Sequence, residues 1–340
     1  MRIGVDLGGT KTEIICLNEH NGKELYRQRV PSPRDDYSAT LKNIQNLVET
    51  AEKHMGKTGT VGMGIPGTIS QDTGLVKNAN STWLNGQALK KDIEALLNRE
   101  VRIQNDANCF AVSEATDGAG QGAHTVFGVI IGTGCGGGVV VRGEGLIGTN
   151  GIGGEWGHNP LPYPRVFVPE EHRSPFFTKY KEAKNGPVYF VDTPAESEYP
   201  GPQCYCGRAG CQEWWISGPG FKRDYQRVTG EEISTHDIIA NAHKGEPRAV
   251  AALDRYVDRL ARALSVVINI IDPQVIVLGG GMSNVADLYE KVPERWGRYI
   301  FSDFVHTKLR PPLHGDSSGV RGAAWLWNDK LGGKLKSDAA

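Results

Sequence analysis

The chain has 340 residues, a mass of 37.0 kDa, a formal net charge of −1 and a pI of about 6.8. This neutral balance provides no basic face of the kind that nucleic acid requires, and no apolar run approaches the length of a membrane span. The length allows a large buried core in one or two domains. Residues 1–7 already have the pattern of a core strand, so we expect no targeting segment, and cysteines without a signal favour a reducing cytoplasm.

A glycine-rich hairpin is the first predicted element. Apolar runs ending at Leu7 and at Leu17 flank the turn Gly8–Thr12, which predicts strand, turn and strand. The turn offers backbone N–H groups and small hydroxyls that can bind an anion, and an ordinary hairpin turn is the alternative.

The segment Gln104–Asn108 follows a short predicted strand, Val101–Ile103, and opens a helix predicted to run to about Thr116. Asp106 therefore lies at a strand end and at a helix N-terminus, and a simple N-cap aspartate is the alternative interpretation. The helix N-terminus favours the ionised carboxylate, so we expect a lowered pKa for Asp106. Such an acceptor is suited to orienting a hydroxyl for attack on phosphorus.

A second glycine-rich hairpin follows the apolar run Thr125–Ile131. It contains a G-x-G-x-x-G match at Gly132, Gly134 and Gly137. A dinucleotide-binding fingerprint leads into a helix, whereas Val139–Val141 predicts another strand, so we reject that interpretation. A Walker A loop is absent from the sequence. The likeness of the two hairpins predicts an internal repeat of a phosphate-binding element.

Three cysteines and one histidine have the spacing of a metal site. Cys204, Cys206 and Cys211 fall within eight residues, with glycines between them that let the backbone curl, and His158 lies upstream among small residues. Three thiolates and one imidazole form a closed tetrahedral set for structural zinc. Buried or free cysteines and a disulfide are the alternatives, although Cys-x-Cys rarely has good disulfide geometry.

Helices and an insertion fill most of the remaining chain. Apolar stripes over residues 41–55, closed by Gly56, and over residues 249–267, ending before Asp272, predict two core helices. Residues Tyr163 to Gln203 are rich in proline, charge and aromatic side chains without periodicity, which predicts an irregular insertion between the zinc ligands.

A third glycine run, Gly279–Gly281, follows the apolar strand Val275–Leu278. A helix is predicted to begin at about Val285. This strand–glycine–helix order differs from that of the two hairpins.

In chain order, these motifs resemble those of the ROK family (repressors, open reading frames, kinases) of bacterial sugar kinases. The resemblance covers essentially the whole chain and implies an actin-like, hexokinase-like ATPase fold, which is α/β with a cleft between two domains. We place the domains at residues 1–117 and 118–317, with a helix near 318–332 packing back on the first. The matching strings are Asp6–Lys11, Asn105–Asn108, Ile131–Gly134, Gly153–His158 and Cys204–Glu213.

The resemblance also implies roles for the matching residues. Asp106 resembles the catalytic base toward a sugar hydroxyl, Asp6 resembles the carboxylate that organises Mg²⁺, and His158 is shared between sugar and zinc. Taken singly, Glu155 and Glu213 have the alternative of being surface carboxylates or carboxylates that support a ligand-binding residue without touching the ligand. The implied sugar ligands are Gly67, Asn80, Asn105, Asp106, Glu155, His158 and Glu213. The implied ATP contacts are Gly4, Asp6, Gly8, Gly9, Thr10, Lys11, Thr12, Gly132, Thr133, Gly134, Gly136, Gly137, Gly138, Gly280 and Gly281. The implied zinc ligands are His158, Cys204, Cys206 and Cys211, and the implied assembly is a homodimer without nucleic-acid or membrane partners.

Two strings favour fructose as the substrate. Asn78–Gly86 stands where many glucose-specific members carry a Pro-Gly-Trp-like turn, and together with His314–Ala324 it resembles the bacterial fructokinases. Short polar groups around Trp83 would close a small pocket around hydroxyls, and no apolar recess for an N-acetyl group is evident. We therefore predict transfer from Mg-ATP to the 6-hydroxyl of D-fructose, with mannose or glucose as weaker substrates. A glucokinase or an N-acetylhexosamine kinase of the same family is the alternative.

Two other classes of protein are disfavoured. A sugar-responsive repressor of the same family would carry an N-terminal helix-turn-helix segment, for which a hairpin beginning at residue 2 leaves no room. An actin-class ATPase would need neither the Asn105–Asp106 pair nor the cysteine turn.

Overall fold

The computed structural model describes residues 1–173 and 190–327 of the chain. The strands are β1 (Arg2–Leu7), β2 (Lys11–Leu17), β3 (Glu24–Pro31), β4 (Thr60–Ile65), β5 (Thr68–Ile69), β6 (Val76–Lys77), β7 (Val101–Asn105), β8 (Thr125–Ile131), β9 (Cys135–Val141), β10 (Glu144–Gly145), β11 (Val166–Phe167), β12 (Phe190–Val191), β13 (Val275–Gly279) and β14 (Lys308–Arg310). The α-helices are α1 (Tyr37–Met55), α2 (Leu89–Leu97), α3 (Asp106–Thr116), α4 (Glu213–Ile216), α5 (Gly218–Thr229), α6 (Thr235–His243), α7 (Pro247–Ile271), α8 (Leu288–Trp296) and α9 (Ser318–Trp325).

The two large sheets have the same topology. Their strand orders are β3-β2-β1-β4-β7 and β10-β9-β8-β13-β14. Each begins with three antiparallel strands that include a glycine-rich hairpin and continues with two parallel strands. The predicted α/β class and the predicted repeat of the hairpin are therefore confirmed.

Close backbone packing places α9 on the first sheet and against α3. A Cβ at Gly4 would overlap the carbonyl oxygen of Val320, and one at Gly62 would overlap that of Ala323. At Gly322, a Cβ would overlap the carbonyl oxygen of Cys109 in α3. Glycine is required at these crossings because any side chain would separate the elements. The helix that begins at Asp106 is thereby held tightly against the C-terminal helix.

The two predicted core helices are present. Gly56 caps α1 in a left-handed conformation with φ of 65°, and Asp272 caps α7. The third glycine run differs from prediction, because a 3₁₀ turn over Gly281–Asn284 precedes α8, so the helix begins at Leu288 and not at Val285.

The predicted insertion, Tyr163 to Gln203, is irregular where the structure describes it. It contains two-residue strands, β11 and β12, and short 3₁₀ turns, while residues 174–189 lie outside the described part. Residues 328–332 of the predicted C-terminal helix also lie outside it, and the predicted domain boundary stays a prediction. Within the described ranges, no helix has the length and apolar character needed to cross a bilayer.

Candidate active site

A cavity of about 320 Å³ brings together residues from both glycine-rich sheets. Its carboxylates come from Asp6, at the end of β1, and Asp106, which follows β7. Ligands bind at the carboxyl ends of parallel strands in open α/β sheets, so this position suits a binding cleft. The lining residues are Asp6, Leu7, Gly8, Gly9, Pro66, Asn80, Asp106, Phe110, Ile130, Gly280, Gly315 and Gly319.

Asp106 is the first residue of α3, as predicted, but it is not the N-cap. Asn105 is the N-cap, and its Oδ1 accepts a hydrogen bond from the Ala107 N–H at 2.9 Å. Oδ1 of Asp106 accepts from the same N–H at 2.8 Å. A short polar side chain of either residue would serve as a cap, so sequence pattern alone does not separate them.

The pKa of Asp106 moves in the direction opposite to prediction. Burial raises it, and this outweighs the lowering by the backbone N–H groups and by Asn105. The residue is exposed at the floor of the cleft, yet protein surrounds its carboxylate closely enough to limit its hydration. The helix N-terminus therefore does not dominate, and the raised pKa is the kind of shift that suits a general base.

Asp6 faces a similar environment. Burial, followed by the charges of Asp106 and Glu13, raises the pKa of Asp6 to about 7, while Arg29 acts in the opposite direction. No residue lining the cavity is a lysine or an arginine. Two carboxylates that repel each other without a cationic side chain in the lining fit a divalent cation with oxygen ligands, such as Mg²⁺.

Of the ATP contacts predicted in the first hairpin, some line the cleft and others are buried in the protein interior. Gly8 and Gly9 line the cavity, and the turn is closed by a 3.0 Å hydrogen bond from the Gly8 N–H to the Lys11 carbonyl. Thr10 and Lys11 are exposed. Thr12 is fully buried, with its hydroxyl 2.8 Å from that of Ser32. Thr12 and Gly4, which packs under α9, therefore lack access to the cleft.

The second hairpin also uses some of its glycines for packing. The turn carries Gly132, Thr133 and Gly134, of which Thr133 is exposed. A Cβ at Gly137 would lie 2.8 Å from the Gly154 carbonyl oxygen, and one at Gly138 would lie 2.7 Å from that of Ala107. Gly137 and Gly138 are therefore buried where strand, loop and helix meet. Gly136 lies beside the Ala107 methyl, Gly280 lines the cavity with φ of 76°, and Gly281 follows it.

The predicted sugar ligands form two connected groups. Asn105 donates through Nδ2 to the Gly67 carbonyl at 3.1 Å, which joins β7 to the turn after β4. The second group consists of Glu155, His158 and Glu213, and the charges of the last two act on the Glu155 carboxylate. Burial raises its pKa, His158 lowers it, and the charges of Asp106 and Glu213 raise it.

Glu213 is hydrogen-bonded to the second hairpin, and the sequence did not indicate this contact. Its Oε2 accepts a hydrogen bond from the Cys135 N–H at 2.9 Å. A Cβ at Gly134 would lie 2.9 Å from the same oxygen, so a side chain there would displace this carboxylate. A side chain at position 134 would therefore disturb both the turn of the second hairpin and the Glu213 carboxylate.

The four predicted zinc ligands cluster as a metal site requires. Their ligand atoms all lie within 4.8 Å of one another. The Sγ atoms of Cys206 and Cys211 are 3.5 Å apart, and Cys204 Sγ is 3.7 Å from His158 Nδ1. A tetrahedral site with Zn–S bonds of about 2.3 Å has ligand atoms roughly 3.8 Å apart, so the cluster fits zinc. The six cysteines are free, which does not support the disulfide alternative.

Tyr205 contacts a predicted site residue and was not among the residues selected from the sequence. Its hydroxyl lies 3.0 Å from His158 Nε2, although the side chain is largely exposed. Its position between Cys204 and Cys206 was the one sequence feature that could have indicated a place near the metal site.

The two strings taken to favour fructose lie largely outside the cavity lining. Trp83 packs against the first core and donates from Nε1 to the Thr40 hydroxyl at 3.3 Å, so it is not a wall of the cavity. From Asn78–Gly86, only Asn80 lines the cavity. Most of His314–Ala324 forms α9 and the turn before it, and its contributions to the lining are Gly315 and Gly319.

Comparison with known proteins identifies relatives over nearly the whole chain. The model of the ROK family matches residues 2–330. An N-acetyl-D-glucosamine kinase of Yersinia enterocolitica is 38% identical over 326 residues, covering 96% of this chain and 99% of the relative. The crystal structure of a ROK hexokinase from Thermus thermophilus has a TM-score of 0.77 and 27% identity, covering 97% and 99% of the two chains.

A ROK glucokinase from Streptomyces griseus, solved with glucose and AMPPNP, has a TM-score of 0.68 and 24% identity over 96% and 98% of the chains. These neighbours confirm the predicted hexokinase-like fold. The prediction of a fructokinase is wrong, because a relative that matches at 38% identity over 96% of the chain is an N-acetyl-D-glucosamine kinase. The prediction rested mainly on the resemblance of two strings to fructokinases, and its supporting physical argument fails because Trp83, taken as a pocket wall, packs against the first core.

Proposed function

The chain belongs to the ROK family and is a sugar kinase, and from this premise we propose that it transfers the γ-phosphoryl group of ATP to N-acetyl-D-glucosamine. The relative with that activity supports the choice of sugar. The observation that carries the chemistry is the cleft in which Asp106, Asp6 and the first glycine turn line one cavity. We infer the primary 6-hydroxyl as the acceptor because it is the least hindered hydroxyl of this sugar.

Asp106 is proposed as the general base. Its Oδ1 is held by the Ala107 N–H at 2.8 Å, which leaves Oδ2 to accept a hydrogen bond from the sugar hydroxyl. The transition state of phosphoryl transfer is loose, so orientation of the hydroxyl oxygen contributes more than early removal of its proton. As the new O–P bond forms and the bond to ADP breaks, the proton passes from the hydroxyl oxygen to Asp106.

The nucleotide side of the cleft is proposed to bind Mg-ATP. Asp6 would hold the cation, directly or through water, and Mg²⁺ supplies positive charge to the triphosphate when bound. Gly8, Gly9 and Gly280 line the cavity without side chains, so backbone can approach the phosphates closely. Gly4, Thr12, Gly137 and Gly138 are not retained as ATP contacts, because all four are buried in packing positions.

The sugar side is proposed to include Gly67, Asn80, Asn105, Glu155, His158 and Glu213. Acceptor-rich carboxylates and amides suit a polyhydroxylated ligand, and buried polar groups that are left unpaired disfavour a sugar that lacks the matching hydroxyl. Zinc would be held by His158, Cys204, Cys206 and Cys211 and would fix the turn that precedes Glu213. A homodimer and a cytoplasmic location stay predictions.

A coupled ATP-consumption assay with N-acetylglucosamine, N-acetylmannosamine, glucose, mannose and fructose tests the proposal. We expect the highest kcat/KM for N-acetylglucosamine. The Asp106→Asn variant is the matched control for ATP hydrolysis that does not depend on this site. A higher kcat/KM for another sugar would refute the substrate, and failure with every sugar would refute the proposed kinase reaction.

A further inference from the structure

Tyr205 approaches two of the proposed sugar-side residues at once. It lies between the zinc-ligand residues Cys204 and Cys206, and its hydroxyl is 3.0 Å from His158 Nε2. The two rings meet edge to face, with centroids 5.1 Å apart and an interplanar angle of 87°. The phenol also interacts with the carboxylate of Glu213. One hydroxyl group therefore lies between an imidazole nitrogen and a carboxylate.

The two nitrogens of His158 have different surroundings. Nδ1 lies 3.7 Å from Cys204 Sγ, so we assign it as the nitrogen that would bind zinc. Nε2 is consequently the nitrogen that remains for any other ligand, and it faces the Tyr205 hydroxyl. A hydroxyl that both donates to a carboxylate and accepts from an imidazole N–H makes the same pair of hydrogen bonds as a sugar hydroxyl would.

Little packing holds Tyr205 in this position. Its side chain is 83% exposed, although tyrosine is a large side chain that usually buries much of its ring. The contact with His158 is thus mainly the hydroxyl and one ring edge. Rotation of the side chain away from the site would expose little additional apolar surface. The free-energy cost of this rotation therefore comes mainly from breaking the hydrogen bonds of the hydroxyl.

We propose that Tyr205 is an affinity-determining residue whose hydroxyl takes the place of a sugar hydroxyl at His158 and Glu213 in the sugar-free protein and turns away when the sugar binds. This inference rests on the proposed function, because it needs a sugar at these two residues. It predicts that the wild-type chain binds sugar more weakly than the same site without this internal competitor. It also explains why an aromatic residue so exposed has its polar atom directed into the site.

The test compares Tyr205→Phe with the wild-type protein. The variant keeps the ring and loses the competing hydroxyl, so KM for N-acetylglucosamine should fall by about two- to tenfold, as a net hydrogen-bond contribution of ~0.5–1.5 kcal/mol implies. The dissociation constant for the sugar, measured by calorimetry without ATP, should fall by the same factor. Tyr205→Ala should lower KM similarly, because the ring is not required for sugar binding.

Tyr199→Phe is the matched control, because Tyr199 is also exposed, at 69%, and lies on the same segment. We expect it to leave KM unchanged. An unchanged or higher KM in Tyr205→Phe, a higher KM in Tyr205→Ala, or a loss of zinc from either variant would overturn the inference. Activity in the wild-type protein together with such a result would leave the proposed function intact. Absence of sugar binding in the wild-type protein would overturn both.

Discussion

In two groups of carboxylates in this molecule desolvation opposes ionisation, yet their pKa values are shifted in opposite directions. In the cleft, burial raises the pKa of Asp106 and raises that of Asp6 to about 7. Beside α7, Glu198 has its pKa lowered to about 2 and Asp224 also has a lowered pKa, although burial opposes ionisation at both. Burial alone therefore does not decide the charge of a carboxylate in this fold.

The difference arises from the partners of each group. Glu198 Oε1 accepts from Arg259 Nε at 2.7 Å and from Arg262 Nη2 at 2.8 Å, and Asp224 Oδ2 lies 2.8 Å from Arg259 Nη1. Arg259 is fully buried and Arg262 nearly so. Coulombic attraction and hydrogen bonds to these guanidinium groups outweigh desolvation. We call these four residues, together with Asp258, the arginine cluster.

Asp6 and Asp106 have no comparable cation in the cavity lining. Their charges favour ligands that enter from outside, namely a cation and a hydroxyl donor. Unpaired, perturbed carboxylates in a cleft are a marker of function, whereas paired carboxylates beneath a surface segment are a marker of structure. The comparison predicts that substitutions in the cleft reduce activity and that substitutions in the arginine cluster reduce stability.

The largest expected effect is that of Asp106→Asn on catalysis. Loss of a general base reduces kcat by about 10²–10⁴. The melting temperature should be unchanged or higher, because an ionisable group without a cationic partner is removed from a poorly hydrated position. Stopped assays of sugar-phosphate formation and thermal melts measure the two effects. Asp72→Asn, at an exposed position, is the control. Wild-type turnover in Asp106→Asn would contradict the assignment.

Glu198→Gln is expected to have the largest effect on stability. The amide keeps the shape of the side chain but leaves Arg259 and Arg262 without one of their counter-charges, and breaking a buried ion pair costs about 3–5 kcal/mol. The free energy of unfolding from denaturant titration measures this. Glu196→Gln is the control, because Glu196 is partly exposed and its oxygen lies 3.8 Å from Arg255. A surface pair of this kind contributes at most ~1 kcal/mol. Equal losses of unfolding free energy in both variants would show that the buried ion pairs of the arginine cluster contribute no more than a surface ion pair.

Cys206→Ser tests whether the arginine cluster can hold the segment that leads to Glu213 without zinc. We expect zinc to be lost, because metal binding and local folding are coupled. KM for the sugar should then rise roughly tenfold, as loss of about one hydrogen bond to Glu213 would give. Elemental analysis and steady-state kinetics measure the two effects, with Cys16→Ala as a control outside the metal-ligand set. Unchanged KM in a zinc-free variant would show that the cluster suffices.

These two regions also differ in how far the sequence reveals them. The cysteines of the metal turn lie within eight residues, so local spacing predicts their contact. Asp106 likewise follows from a local strand-to-helix junction. The arginine cluster joins Glu198 to residues 61 and 64 positions away, and its members are residue types that usually lie at the surface. Trp83 illustrates the same limit, since its packing against the first core and its hydrogen bond to Thr40 of α1 are contacts that local sequence does not show.

The smallest expected effect is a difference in acid sensitivity between the wild-type protein and Glu198→Gln. The pKa of Glu198 is about 2 in the folded chain, below its ordinary value of 4.5. A carboxylate with a depressed pKa contributes stability that is complete above pH 4.5 and is lost as the pH falls toward 2.

Between pH 4.5 and pH 3, the wild-type protein should therefore lose about 1–2 kcal/mol more than Glu198→Gln, which has no proton to bind at this site. Denaturant titrations at half-unit steps of pH measure the two slopes. Zinc release in acid affects both proteins and cancels in the difference. Parallel slopes would mean that Arg259 and Arg262 do not hold Glu198 ionised. The contrast between paired and unpaired carboxylates would then fail for Glu198, the carboxylate that both of these arginines contact.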